Sequence, residues 1–283
     1  MTRDVTIDAP AKINLALAIT GKRADGYHEL RSVFATIDLA DRVRVSASPR
    51  LEVRIVPDVG ARRGDDLGSR AVRAMAAATG HKPAAFVHIR KRIPVAAGLG
   101  GGSSDAAAVF RALATIWQRG DIDLVALGAT VGSDVPFFVS GARVAFVQGR
   151  GDRVDTLPAP PATHIVIVRT RMRLATGDVF GALRSDDRGA AAAVDGLRDA
   201  LERGAVTPQL LRDHARNDLL APAERLCPAI AEARARAAEK GIALALTGSG
   251  PTLFAIADDR RDALRIARTL DRIGLVAHAH TMG

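Results

Sequence analysis

The chain has 283 residues, 48% hydrophobic and 25% charged, with a formal net charge of +9. Those proportions exclude a disordered chain and leave room for one large or two ordinary globular domains. One cysteine, Cys227, excludes an internal disulfide and a thiolate metal cluster, and it reads as a small buried hydrophobe. No apolar run has the length of a membrane helix, and the opening residues, acidic at Asp4, lack a secretory or transit pattern. A cytoplasmic protein is expected. The basic residues are spread along every segment without a nucleic-acid-binding signature, so the charge suits anionic small molecules better than nucleic acid.

Alternating hydrophobicity predicts strands over 5–7 and 11–19. Within the second, Lys12 and Asn14 fall on one side, and Ala11, Ile13 and Leu15 on the other. A lysine beside an amide can bind an anionic group and orient a hydroxyl; a solvated edge strand explains the pair as well. Next comes Asp25-Gly26-Tyr27-His28, an Asp-Gly turn with the chain's only tyrosine beside a histidine. A ring and an imidazole together suit a flat heterocycle, and an ordinary surface histidine is the competing reading.

Strands are expected over 32–39 and 42–46, and an alanine-rich helix over 67–78, stopped near Gly80. An apolar-basic alternation over 85–93 predicts another strand. It runs into Pro94-Val95-Ala96-Ala97-Gly98-Leu99-Gly100-Gly101-Gly102-Ser103-Ser104-Asp105, with four glycines in five positions. A helix is expected over 104–118, capped by Ser103 or Ser104, with Asp105 in its first turn and Gly120 past its end. A glycine loop opening a helix presents amides and a dipole to an anion. It matches neither the Gly-x-Gly-x-x-Gly frame nor the Gly-Lys-Ser/Thr ending of a P-loop.

A short helix over 121–129 leads to Gly132-Ser133-Asp134-Val135-Pro136, where a glycine that permits a sharp turn and a proline that stiffens the exit suit one aimed carboxylate; an ordinary turn aspartate is the competing reading. A strand over 143–148 follows. Three prolines within 158–161 mark a linker, which divides the chain into domains at 1–157 and 158–283. Beyond it the pattern gives a strand over 164–168 and helices over 179–183, 190–202 and 227–240. Strands over 242–246 and 253–257 bracket a second glycine loop, Thr247-Gly248-Ser249-Gly250-Pro251-Thr252, which suits either phosphate binding or a close approach to the first loop. A helix over 262–273 and a strand over 275–281 complete an α+β chain. Two anion-friendly loops, a lysine and a turn-held aspartate are the parts that phosphoryl transfer requires.

In this order, the segments 10–15, 94–104 and 247–254 resemble the GHMP kinase superfamily, whose motifs are Pro-x-Lys-x-Asn, a Gly-Leu-Gly-rich loop ending in serines, and a late Gly-x-Gly loop. The segment 20–30, the triple glycine and 132–138 are similar to the branch that phosphorylates the 2-hydroxyl of a cytidine-diphosphate-linked methylerythritol. The resemblance implies a two-domain fold, with an N-terminal domain like domain 2 of ribosomal protein S5 and a ferredoxin-like C-terminal domain. It also implies ATP and Mg2+ as cofactors and a small-molecule partner, with the chain a monomer or weak homodimer.

Asp134 and Lys12 would then be catalytic. Residues Pro94, Val95, Ala96, Ala97, Gly98, Leu99, Gly100, Gly101, Gly102, Ser103 and Ser104 would bind ATP, one of the serines lying near the metal. Asn14, Tyr27, His28 and Phe180 would bind the second substrate, and the adenine would sit near 67–71 and 87–89. Ala96 and Ala97 replace glycines common in relatives, and no acidic metal ligand is assigned.

Overall fold

The computed structural model describes residues 4–60, 64–169 and 173–282. Met1–Arg3, part of the opening stretch read above, lie outside them. Strands β1 (Asp4–Lys22) and β2 (His28–Ser46) form a long antiparallel hairpin. Four short strands were the expectation. They join because register shifts at Pro10/Ala11, Asn14/Ala16 and Ile19/Gly21 absorb the interruptions without ending the ladder.

After β3 (Glu52–Val56), helix α1 (Leu67–Thr79) starts where Asp66 accepts the Ser69 amide and stops at Gly80, φ 71°. Strand β4 (Phe86–Arg90) pairs parallel with β3 and antiparallel with β2. Helix α2 (Gly101–Ile116) begins ahead of the predicted start. Its cap is Gly100 in left-handed conformation rather than a serine, and it ends before Gly120, at Trp117. Helix α3 (Leu124–Ala129) is capped by Asp123. Segment 135–140 folds as helix α4 (Val135–Ser140), because Pro136 in a first turn has no amide to lose. Strands β5 (Val144–Gly149) and β6 (Arg153–Leu157) follow, with β5 between β2 and β6.

Residues 158–162 carry no helix or strand. Then come β7 (Thr163–Arg169), α5 (Thr176–Gly181), α6 (Ala191–Glu202), α7 (Pro208–His214), α8 (Leu220–Leu226) and α9 (Pro228–Ala238). The chain closes with β8 (Ala245–Leu246), β9 (Leu253–Ala257), α10 (Arg260–Arg272) and β10 (Val276–Met282). Strand β7 lies between β10 and β9, and this second set of strands meets the first where Met282 pairs with Ile37.

Strand β1 is the element on which both halves close. Residues 11–19 are buried without exception, because α2 covers one part of the hairpin and α6 another. Ala11, Ile13 and Leu15 join a cluster with Val194 and Leu197 of α6 and Phe254 of β9. Leu17 and Ile19 join the cluster built on Val109, Phe110 and Leu113 of α2. Leu17 also exchanges backbone hydrogen bonds with Arg216 and Asp218 from the second half. Asp218 accepts the Ile19 amide at 2.7 Å and those of Gly189 and Ala190 at 2.9 Å.

Candidate functional site

Burying the middle of β1 buries Lys12 and Asn14, at 3% and 2% exposure. Polar groups so placed are costly unless partnered, and both are partnered. The Lys12 ammonium donates to Asn14 Oδ1 at 2.7 Å, lies 3.5 Å from Asp134 Oδ2, and sits 4.5 Å from the centre of the Phe34 ring. Asn14 Oδ1 also accepts the Gly248 amide at 2.8 Å, and its Nδ2 donates to Ser32 Oγ at 2.9 Å. Asn14 lines the cleft, but its polar atoms hold Lys12, Ser32 of β2 and Gly248 of the second glycine loop. Asp134 precedes α4 without capping it, and its side chain is 28% exposed, so the carboxylate stays open to the cleft beside the ammonium.

The glycine loop leads into α2 with left-handed backbone at Ala96, Gly98 and Gly100. Gly98 has no alternative: a Cβ there would stand 2.4 Å from the Thr247 carbonyl oxygen, and one on Gly248 would stand 2.8 Å from the Gly98 carbonyl. The second glycine loop therefore packs backbone to backbone against the first, the close-approach alternative for its role. Asn217 Nδ2 holds it by donating to the carbonyls of Leu246 and Gly248 at 2.9 Å, and the Lys12 amide donates to the Leu99 carbonyl at 3.0 Å.

The first glycine loop and the groups around Lys12 border one cleft of about 1070 Å³. Pro94 to Ser103 line it without a gap, as do Lys12, Asn14, Asp134, Tyr27, His28 and Phe180. Ser104 does not: its hydroxyl is buried without a hydrogen-bond partner, and the residue lines a separate small pocket with Ile7, Pro10 and Phe138. The helical twist of α2 turns successive residues by about 100°, so Ser103 and Ser104 cannot both face the loop's ligand side.

One end of the cleft carries rings. The His28 and Phe180 centroids lie 5.1 Å apart with planes 30° off parallel, and the Arg150 guanidinium lies 5.6 Å from the centre of the exposed Tyr27 ring. Burial lowers the His28 pKa below its ordinary value, and the charges of Lys22 and Arg188 lower it further. A neutral imidazole offers one donor and one acceptor. The other end is apolar, with Ile55, Val59, Leu67 and Ile89 on its walls. Of the segments expected there, Leu67, Gly68 and Ile89 reach the cleft, while Ala71 and Val87 belong to the core.

Sequence reasoning missed a buried ionic cluster under the loop. Lys91 donates to Asp105 Oδ2 at 2.6 Å and also to Asp41 Oδ2, while Asp41 Oδ1 accepts the amides of Arg92 and Ile93. Burial pushes the Asp105 carboxyl up to about 7 against the pull of Lys91. Burial also opposes the Lys91 ammonium, but Asp105 and Asp41 outweigh it and raise its pKa. In the run Arg90-Lys91-Arg92, Lys91 looks like one more solvated cation. Only its odd placement in the alternation could have singled it out.

The architecture and the sequence agree with known proteins. The family described as GHMP kinases N terminal domain matches residues 66–142, and GHMP kinases C terminal matches 197–274. The 4-diphosphocytidyl-2-C-methyl-D-erythritol kinase of Thermus thermophilus is 38% identical over 277 residues, 97% of this chain and 95% of that protein. A crystal structure of a 4-(cytidine 5'-diphospho)-2C-methyl-D-erythritol kinase superposes with a TM-score of 0.79 at 36% identity, covering 99% of both chains. Homoserine kinase from Cytophaga hutchinsonii, at 17% identity and a TM-score of 0.74 over 100% of this chain and 95% of that one, shares the fold. With residues of all three GHMP motifs on one cleft and identity of this level along nearly its whole length, the chain belongs to the 4-diphosphocytidyl-2-C-methyl-D-erythritol kinase family of the GHMP kinases.

Proposed function

We propose that this chain transfers the γ-phosphate of ATP to the 2-hydroxyl of 4-diphosphocytidyl-2-C-methyl-D-erythritol, a step of non-mevalonate isoprenoid synthesis. The observation that carries the reading is the Lys12–Asp134 pair, 3.5 Å apart, in the same cleft as the glycine loop and the His28–Phe180 rings. Asp134 accepts the proton of the attacking hydroxyl, and its exposure leaves room for that approach. Lys12 orients the hydroxyl and offsets the charge that develops on transfer, fixed for this by Asn14.

Loop amides and the N-terminus of α2 hold the triphosphate. The apolar end beside Leu67 and Ile89 takes the adenine. His28 reads the polar edge of the cytosine as a neutral imidazole, with Phe180 and Tyr27 supplying apolar faces. Among the described residues no group of three or more His, Cys, Asp or Glu is placed to cage a metal. Magnesium would enter with the nucleotide phosphates, and Ser103, the loop serine that lines the cleft, would meet it. Bound magnesium neutralises phosphate charge.

The domains divide at 157/158, and the protein acts in the cytoplasm as a monomer or weak homodimer without nucleic-acid or membrane partners. No helix among the described residues is long and apolar enough to cross a membrane. The test is ADP release with ATP, magnesium and the cytidine-diphosphate substrate. Turnover with that acceptor and not with homoserine or mevalonate is the expected result. Absence of turnover overturns the assignment.

A further inference from the structure

We propose that Lys91 is a positioning residue for phosphoryl transfer: its ammonium, clasped between Asp41 and Asp105, closes the base of the glycine loop and fixes the first turns of α2. The proposal rests on the reading that this loop holds the ATP phosphates.

The loop leaves the sheet at Lys91 and returns to regular structure in α2. Both ends are joined by one contact, Lys91 Nζ to Asp105 Oδ2 at 2.6 Å, across 14 positions of sequence. Asp41, fully buried on β2, ties that closure to the sheet by accepting from Lys91 and from the Arg92 and Ile93 amides. The start of the helix packs over Ile93 and the same ammonium: a Cβ added to Gly101 would lie 2.9 Å from Ile93 Cγ2 and 3.3 Å from Lys91 Nζ. Loop glycines alone would leave many backbone conformations open. A charge-assisted bond between buried partners at the loop's base removes that freedom before the ligand arrives.

Lys91 lines the cleft, which raises the rival role of a direct phosphate ligand. Its ammonium already donates to two carboxylates that are themselves buried, Asp41 and Asp105. Lys12 is as deeply buried, but its partner Asp134 is 28% exposed and open to the cleft, so the Lys12 ammonium is the one paired with a reachable carboxylate.

The experiment compares wild type, Lys91→Met, Asp105→Asn and the double variant. It uses calorimetric binding of magnesium-ATP, steady-state kinetics, and hydrogen exchange of segment 94–104. Lys91→Met is expected to lower kcat/KM for ATP by about 100-fold, as a displaced reacting group does. Binding of the acceptor stays unchanged, and the loop amides lose protection while the far half of α2 keeps it. Asp105→Asn weakens the same bond, so it shifts ATP binding in the same direction by less, and the double variant is no worse than Lys91→Met.

Additive effects in the double variant overturn the clamp. So does weakened ATP binding by Lys91→Met with loop exchange and Asp105→Asn at wild-type values, which makes Lys91 a direct ligand. If Lys91→Met does not fold, the isosteric Asp105→Asn decides: unchanged ATP affinity and unchanged loop protection overturn the proposal. Wild-type protein that fails to bind ATP overturns the functional reading itself, whereas wild-type binding with unaffected variants overturns only the clamp.

Discussion

Lys12 meets three demands at once: it must be buried in a β1 strand covered on both sides, stay charged, and point at a carboxylate. Asn14 reconciles them by accepting from the ammonium and from Gly248 while donating to Ser32. Asn14→Leu is expected to destabilise the protein by about 1–3 kcal/mol, the penalty of orphaned buried donors, read as a lowered denaturation midpoint. Asp134→Asn separates chemistry from binding: kcat falls by about 100- to 10,000-fold, and ATP affinity by calorimetry stays near wild type.

His28 gives a pH signature. Its pKa lies below the ordinary histidine value, so the neutral ring persists to a lower pH than a free imidazole would. KM for the cytidine substrate should therefore stay flat as pH falls through the ordinary histidine range and rise only below the lowered pKa. Lys22→Gln removes one of the cationic charges that lower it, so the rise should begin at higher pH. A KM profile identical to wild type would contradict this account.

At the scale of elements, the two glycine loops are a single construction. Gly98→Ala places a side chain at φ 74° and 2.4 Å from the Thr247 carbonyl, so one loop must move off the other. A loss of about 3 kcal/mol in chemical denaturation and a raised KM for ATP are expected. Gly120 is the internal control, with nothing within 4 Å of an added Cβ. Gly120→Ala should leave both quantities near wild type.

Helices α4 and α7 show why element prediction missed at these points. Each has a proline in its first turn, where it starts a helix as readily as it ends one, and short helices have too few turns for a period to register. The hairpin of β1 and β2 was legible as strand but not as two continuous strands. The bulges that carry the ladder past Pro10 depend on the partner.

On the scale of the molecule, the halves meet at β1 more than at their sheet edge. Asp218 is the tie, accepting one amide from β1 and two from the segment before α6. Asp218→Ala leaves three amide donors without their acceptor, two of them buried, and a loss of about 2–4 kcal/mol is expected in equilibrium unfolding. The same variant should reduce kcat, because Leu17 and Ile19 continue the strand that carries Lys12 and Asn14.

Sequence alone determined the chemistry on offer. The glycine run, the period-two pairing of Lys12 with Asn14, the turn around Asp134 and the Tyr27-His28 pair are local patterns, set by backbone conformation over a few residues. Only the tertiary structure decided which of two adjacent serines faces the cleft, and that Asn14 steadies Lys12 through contacts 18 and 234 positions away. It also showed that Lys91, which reads as a solvated cation, lies buried between two aspartates. Local patterns fix backbone and periodicity, but whether a charge is solvated or clasped depends on what the rest of the chain packs around it.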